Sequence, residues 1–118
     1  MWDWDEALFS IAVGNYDVVL HHPHPPGFPL YIALAKLIRF LVHSDFHALQ
    51  AITTVASIAM FPLLFWLARE LRFPLRTAFL CSLLFVFFPN VWFFGGTAFS
   101  DIPGLALLIA ASATLLRG

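Results

Sequence analysis

Charged residues are scarce in this chain. Asp, Glu, Lys and Arg make up 11% of its 118 residues, against roughly 25% in soluble domains. Hydrophobic residues make up 61%, and the mean hydropathy is +0.87. So little polar surface cannot coat a globule in water, which excludes an ordinary soluble domain and predicts an integral membrane protein. The six basic residues form no patch that could neutralise phosphates along a strand, which excludes nucleic acid as a partner.

Cysteine is almost absent as well. Cys81 is the single cysteine and lies inside an apolar run, so the chain cannot form a disulfide within itself. We interpret it as a small core or lipid-facing residue. The sequence contains no internal repeats.

Long uncharged runs characterise the C-terminal region, 46–118. A helix needs about 20 apolar residues to cross the roughly 30 Å of hydrocarbon in a bilayer. The last run, 102–116, is short for a span but fits a tilted or truncated helix. We predict three transmembrane helices, at about 46–68, 77–94 and 102–116. Pro89, followed by Gly95, predicts a break near the outer end of the second span.

The N-terminal region, 1–45, is predicted to be an extracytoplasmic loop with one or two interfacial helices. The run 28–43 is apolar, but Lys36 and Arg39 lie on nearly the same helical face. Burying each cation at the bilayer centre would cost roughly 2.5–3.5 kcal/mol. We therefore predict a helix that lies in the interface, with its cations reaching the headgroups. A second helix is predicted over about 5–16.

Basic residues between the first two spans indicate the orientation. Arg69, Arg72 and Arg76 crowd that short connection, and the positive-inside rule places it in the cytoplasm. The end of the chain that carries Asp5 and the connection 95–101 are then both expected on the extracytoplasmic side.

Two adjacent acids open the chain. Asp5 and Glu6 lie at a predicted helix start, where their side chains point about 100° apart. One carboxylate can therefore face a substrate while a partner holds the other. An equally good interpretation is that both acids complement the helix dipole.

Histidines and a second acidic position complete the polar clusters. His22 and His24 lie in a proline-rich stretch that we expect to be extended, so that both side chains point the same way. Binding of phosphate or carboxylate is favoured over a zinc site, which lacks a further ligand. Asp101 is either the N-cap of the third span or an acid that binds a metal or a phosphate.

These motifs resemble the start of a GT-C-type membrane glycosyltransferase. The matching residues are Asp5-Glu6, the tract His-Pro-Pro-Gly-Phe-Pro-Leu-Tyr that begins at His24, and Ser100-Asp101. The chain is similar to protein O-mannosyltransferases and bacterial lipid A aminoarabinose transferases (glycosyltransferase family 39). The resemblance implies a larger GT-C-like helical bundle in the cell membrane, of which this chain is an N-terminal fragment.

The resemblance also implies an activity and roles for particular residues. A sugar would pass from a polyprenyl-phosphate donor to a protein, lipid or glycan acceptor at the extracytoplasmic face. Asp5 would be the catalytic base or the acid that orients the acceptor, and Glu6 would support it in catalysis. The expected substrate-binding residues are His22, His24, Lys36 and Asp101. Asp101 is also the candidate ligand for a divalent cation.

The chain departs from the family pattern in its surroundings of Glu6. Many members carry an arginine early in the next span, where this chain has Gln50, and they have a transmembrane helix before the acidic pair. We expect the isolated chain to be inactive without further spans. The alternative is a non-catalytic polytopic protein, a transporter or assembly subunit, whose polar cluster binds a ligand or lipid.

Overall fold

The computed structural model describes residues 4–118. That part of the chain is helical and contains no β-strand, apart from an isolated bridge between Asp17 and His22. The helices are α1 (Trp4–Gly14), α2 (Pro29–Val42), α3 (Asp45–Glu70), α4 (Leu75–Val86), α5 (Pro89–Phe94) and α6 (Asp101–Arg117). The prediction of an all-α chain is therefore confirmed over these residues.

Tertiary contacts divide the described residues into two compact units. The first unit comprises 4–54 and 96–100, and the second comprises 55–95 and 101–118. Helix α3 begins in the first unit and ends in the second. The predicted division into an extracytoplasmic region, 1–45, and a transmembrane region, 46–118, describes where residues lie relative to a bilayer. That division stays a prediction.

The first unit is built around the packing of α1 on α2. Pro29 begins α2, where its fixed φ suits the first helical turn and its missing N–H costs nothing. The helix ends at His43, whose left-handed backbone lets its N–H donate to Arg39 O at 2.8 Å. The core consists of Phe9, Ala12, Val13, Tyr31, Ile32, Ala35, Leu49, Ile52 and Ala98.

Helix α2 is too short to cross a bilayer. At 14 residues it reaches about 21 Å, below the roughly 30 Å of hydrocarbon. The prediction of a separate short helix over 28–43 is confirmed in its extent. Its position in the interface stays a prediction.

The second unit packs the C-terminal part of α3 with α4, α5 and α6. Met60 of α3 and Ile102, Ala106 and Ile109 of α6 form its buried centre. Pro62 lies inside α3 without ending the helix. The break predicted before Pro89 is confirmed, because α4 ends at Val86 and α5 begins at Pro89.

Among residues 4–118, one helix is long and apolar enough to cross a membrane. This is α3, with 26 residues and a mean hydropathy of 1.9 in its most apolar stretch. The second predicted span is divided between α4 and α5, and α6 has 17 residues. Helix α3 therefore has the length and composition of a span, and the arrangement of three transmembrane helices stays a prediction.

Gly95 permits a close approach inside the second unit. A β-carbon added at Gly95 would collide with Ser57 Oγ and lie 3.2 Å from Ser57 Cβ. At Gly96, by contrast, an added β-carbon meets no atom within 4 Å. Gly95 has φ −65°, so the requirement for glycine there is one of space and not of backbone conformation.

The two neighbouring glycines give a matched test of this packing. Gly95→Ala should lower the free energy of unfolding by about 1–3 kcal/mol, because the new methyl group overpacks the contact with Ser57. Gly96→Ala should change it by less than about 0.5 kcal/mol. Denaturant titration in detergent, followed by circular dichroism, measures both. Equal stability of the two variants would contradict the close packing.

Candidate functional site

One accessible polar pair of the first unit consists of Asp5 and His24. Asp5 lies in the first turn of α1, and its Oδ1 is 3.7 Å from His24 Nδ1. The side chains of Asp5 and His24 are 45% and 34% exposed. The Nδ1 atom of His24 is itself enclosed, so solvent reaches the imidazole at its other atoms. The distance is too long for a hydrogen bond but short enough for an ion pair when the imidazole is protonated.

Aromatic rings support one side of His24. The imidazole centroid is 5.6 Å from the ring of Phe9 and 5.5 Å from that of Phe28, both in edge-on geometry. Phe9 in turn contacts Phe28 at 5.3 Å and Tyr31 at 5.5 Å. Because edge-on aromatic contacts are favourable and Phe9 is buried, this packing fixes where the imidazole lies.

The segment that carries the histidines is folded back on itself. Asp17 and His22 exchange backbone hydrogen bonds of 2.8 and 2.7 Å, and Asp17 Oδ1 accepts from Val19 N at 2.9 Å. Gly27 has φ +90° and lies against Tyr16 and Val18, so only glycine fits. The expectation of an extended stretch is therefore wrong.

The two histidines consequently have different surroundings. His24 approaches Asp5, whereas His22 takes part in the bridge with Asp17. The Nδ1 atoms of both histidines are enclosed, and neither makes a hydrogen bond within the described part of the chain. The predicted joint role of both histidines in substrate binding stays a prediction, and the geometry associates only His24 with Asp5.

Glu6 points the other way from Asp5, into the unit. Its side chain is completely buried, and its Oε1 accepts a hydrogen bond of 2.9 Å from the backbone N–H of Ala98. A buried carboxyl group needs such a donor, because desolvation without a partner costs several kcal/mol. A partner was expected to hold one of the two acids, and the partner of Glu6 is a backbone amide.

Two residues of α3 hold the same segment, 96–100. Gln50 Nε2 donates to Gly96 O at 2.9 Å, and Thr53 Oγ1 lies 3.1 Å from Phe99 O, to which it donates. Together with Glu6 they attach 96–100 to α1 and α3 at three points. Gln50 and Glu6 therefore bond the same segment at neighbouring positions.

Asp101 follows this segment and begins α6 in the second unit. Its side chain is exposed, and an acid in the first turn complements the helix dipole. Within residues 4–118, no three His, Cys, Asp or Glu side chains are grouped so that they could hold a metal ion. The predicted role of Asp101 as a ligand for a divalent cation stays a prediction.

Lys36 does not join Asp5 and His24. Its Nζ lies 5.8 Å from the centroid of the Tyr16 ring, and it lines a cavity beside Val13 and Gly14, at the C-terminal end of α1. Asp5 is at the N-terminal end of α1, about 13 Å away along the helix axis. The structure thus brings together Asp5 and His24 and places Lys36 at a separate location.

Sequence reasoning missed the residues that hold 96–100. Thr53 and Gln50 are three residues apart on α3 and therefore share a helical face. Two polar side chains on one face of an otherwise apolar helix were an available sign that this face contacts protein. Tyr31, whose hydroxyl is 3.4 Å from Thr53 Oγ1, carried no such sign.

The chain matches no family model, and comparisons with curated proteins and with solved structures find no match either. The functional assignment therefore depends on the residues and their geometry.

Replacing Glu6 tests the attachment of the segment 96–100. Glu6→Ala should lower the free energy of unfolding by about 1–3 kcal/mol, because the amide of Ala98 loses its acceptor in a buried position. Glu6→Gln keeps an acceptor oxygen and should retain most of the stability. Denaturant titration in detergent compares both with the unaltered chain. Stability of Glu6→Ala equal to that of the unaltered chain would contradict this role.

Proposed function

We propose that this chain forms the acid-bearing N-terminal part of a GT-C-type membrane glycosyltransferase. The enzyme transfers a sugar from a polyprenyl-phosphate donor to an acceptor hydroxyl at the extracytoplasmic face of the cell membrane. The proposal is supported by the motifs that resemble this family and by the accessible Asp5–His24 pair beside the buried Glu6.

The pair of Asp5 and His24 is the observation on which the proposal chiefly depends. Asp5 takes the proton of the acceptor hydroxyl as general base. The acceptor oxygen then forms a bond to the anomeric carbon of the sugar. The bond from that carbon to the phosphate oxygen breaks, and the polyprenyl phosphate leaves with the electron pair.

His24 has a suitable position to assist departure of the phosphate. The leaving group gains negative charge as the glycosidic bond breaks, and a protonated imidazole nearby offsets that charge. The aromatic contacts with Phe9 and Phe28 hold the ring in place, so little reorganisation is needed during the reaction.

Glu6 acts as a positioning residue in this proposal. Its hydrogen bond to Ala98 fixes the first turn of α1, and thereby the backbone of Asp5. The same bond holds the segment that leads directly to Asp101. Asp101 remains a proposed substrate-binding acid, and Lys36 a proposed contact for a lipid phosphate.

The membrane arrangement belongs to the same proposal. Helix α3 has the length and composition of a span, and the other two predicted spans are proposed as further spans. The connection between α3 and α4 has three arginines in it or at the adjoining helix ends: Arg69, Arg72 and Arg76. By the positive-inside rule, they favour a cytoplasmic location for this connection. The N-terminal end of α3 then faces the extracytoplasmic side, together with α1.

Asp5→Asn tests the catalytic role. In membranes that contain the complete protein, this variant should slow release of polyprenyl phosphate by about 10²–10⁴-fold, because the general base is lost. Membrane insertion should be unaffected. Glu70→Gln is the matched control, since Glu70 accepts from Trp66 Nε1 in the second unit and has no proposed role in catalysis.

Unchanged transfer by Asp5→Asn would reject the proposed base. Absence of any sugar transfer by the complete protein, with a range of sugar-charged polyprenyl phosphates, would favour the non-catalytic alternative.

Labelling with a membrane-impermeant maleimide tests the orientation. Cys81 is exposed and must first be replaced by alanine. In that background, Trp4→Cys should react in intact cells, since Trp4 is 75% exposed and belongs to the proposed outer region. Phe73→Cys, in the connection between α3 and α4, should react only after permeabilisation. The reverse pattern would overturn the proposed orientation.

A further inference from the structure

A basic cavity lies at the C-terminal ends of α1 and α2, within the first unit. Its volume is about 510 Å³, and it is lined by Val13, Gly14, Lys36, Arg39, Phe40 and His43. Three of these six residues carry or can acquire positive charge. Neither Asp5 nor His24 lines this cavity.

The positive charge of the cavity is only partly neutralised. Arg39 Nε lies 2.7 Å from Asp45 Oδ1, so this cation already has an anionic partner. Lys36 contacts the face of the Tyr16 ring and has no ion pair within residues 4–118. His43 contributes a further charge when protonated. Lys36 therefore provides the positive charge that is left for a ligand.

An exposed apolar surface continues from the cavity along α2. Phe40 lines the cavity and is 79% exposed, and the next exposed side chains around the helix are Leu37 at 66% and Leu41 at 81%. Leu30 and Leu34 extend this surface toward the start of the helix. An anionic group in the cavity would thus have hydrocarbon surface immediately beside it.

We propose that this cavity binds the headgroup of an anionic glycerophospholipid. The phosphodiester lies against Lys36, with Arg39 and His43 at its sides, and the acyl chains extend over Phe40, Leu37 and Leu41. A ligand that joins an anion to hydrocarbon matches both parts of the surface. A free phosphate would use the cavity but leave the apolar face exposed.

The site is separate from the proposed catalytic pair. Asp5 and the cavity residue Gly14 lie at opposite ends of α1, about 13 Å apart along its axis. The inference rests on the membrane location in the proposed function and not on sugar transfer. It gives α2 a specific lipid contact in addition to a general affinity for the interface.

Helix stability explains only part of the positive charge that lines the cavity. A cation in the last turn of α2 complements the negative end of the helix dipole, and Asp45 orients Arg39. Lys36 lies about one turn earlier in α2, so neither the helix dipole nor the ion pair with Asp45 accounts for a cation at this position. It is therefore the residue whose replacement separates lipid binding from folding.

Native mass spectrometry of the full chain can measure the preference for an anionic lipid. The protein is equilibrated in mixed micelles that contain equal amounts of phosphatidylglycerol and phosphatidylcholine, and the retained lipids are counted. The unaltered chain should retain phosphatidylglycerol preferentially. Lys36→Gln should reduce this preference by about fivefold, and Lys36→Arg should preserve it.

Arg76→Gln is the matched control, because it removes the same charge in the second unit. It should leave the preference unchanged. An equal loss in Lys36→Gln and Arg76→Gln, or no preference in the unaltered chain, would overturn the site.

A competing arm uses a polyprenyl phosphate in place of phosphatidylglycerol. Displacement of phosphatidylglycerol by a small excess of polyprenyl phosphate, lost in Lys36→Gln, would assign the cavity to the donor lipid and overturn the glycerophospholipid assignment. Retention of phosphatidylglycerol in the presence of a small excess of polyprenyl phosphate, lost in Lys36→Gln, would support the assignment. Failure of the proposed transferase is read separately, from Asp5→Asn.

Discussion

The hydrogen bond between Glu6 and the amide of Ala98 constrains much of the first unit. A carboxyl group with no exposed surface is tolerated only with a donor in place. That donor lies 92 residues further along the chain, so the start of α1 and the segment 96–100 must come together for either to be stable. Gln50 and Thr53 add contacts to the same segment across 46 residues. Apolar burial is not directional, and these polar contacts therefore specify which segments meet.

Such contacts matter more in a chain with this composition than in a soluble protein. Large apolar side chains are exposed on α2, α4 and α6, including Leu41 at 81%, Leu84 at 70% and Leu107 at 71%. Inside a bilayer, lipid covers these faces as well as another helix would, and the hydrophobic effect gives little preference for one packing. In the proposed membrane location, small residues and hydrogen bonds therefore determine which segments pack together. Examples are Gly95 beside Ser57 and the hydrogen bond between Glu6 and Ala98.

Local chemistry made parts of the fold predictable. Pro29 and Pro89 mark helix starts through their own geometry, and the short helix over 28–43 follows from run length and charge. The folded turn before α2 was not predictable, since His21 and Phe28 adopt positive φ, which non-glycine residues rarely do. The partner of Glu6 was equally hidden, because a backbone amide has no signature in the sequence. The family resemblance implied roles for Asp5 and His24 in one reaction, but the 3.7 Å between their side chains depends on that turn.

The two adjacent acids differ in their surroundings, one being buried and bound and the other accessible. A single carboxylate could not meet both conditions. Glu6 is buried and bound, and it holds the first turn of α1; Asp5 is accessible and lies 3.7 Å from His24. At that distance no hydrogen bond to the imidazole occupies the Asp5 oxygen, so its lone pairs are available to an acceptor hydroxyl. A closer contact would strengthen the pair but occupy the oxygen that the proposed reaction needs. The position of Asp5 thus matches the role of general base that we propose for it.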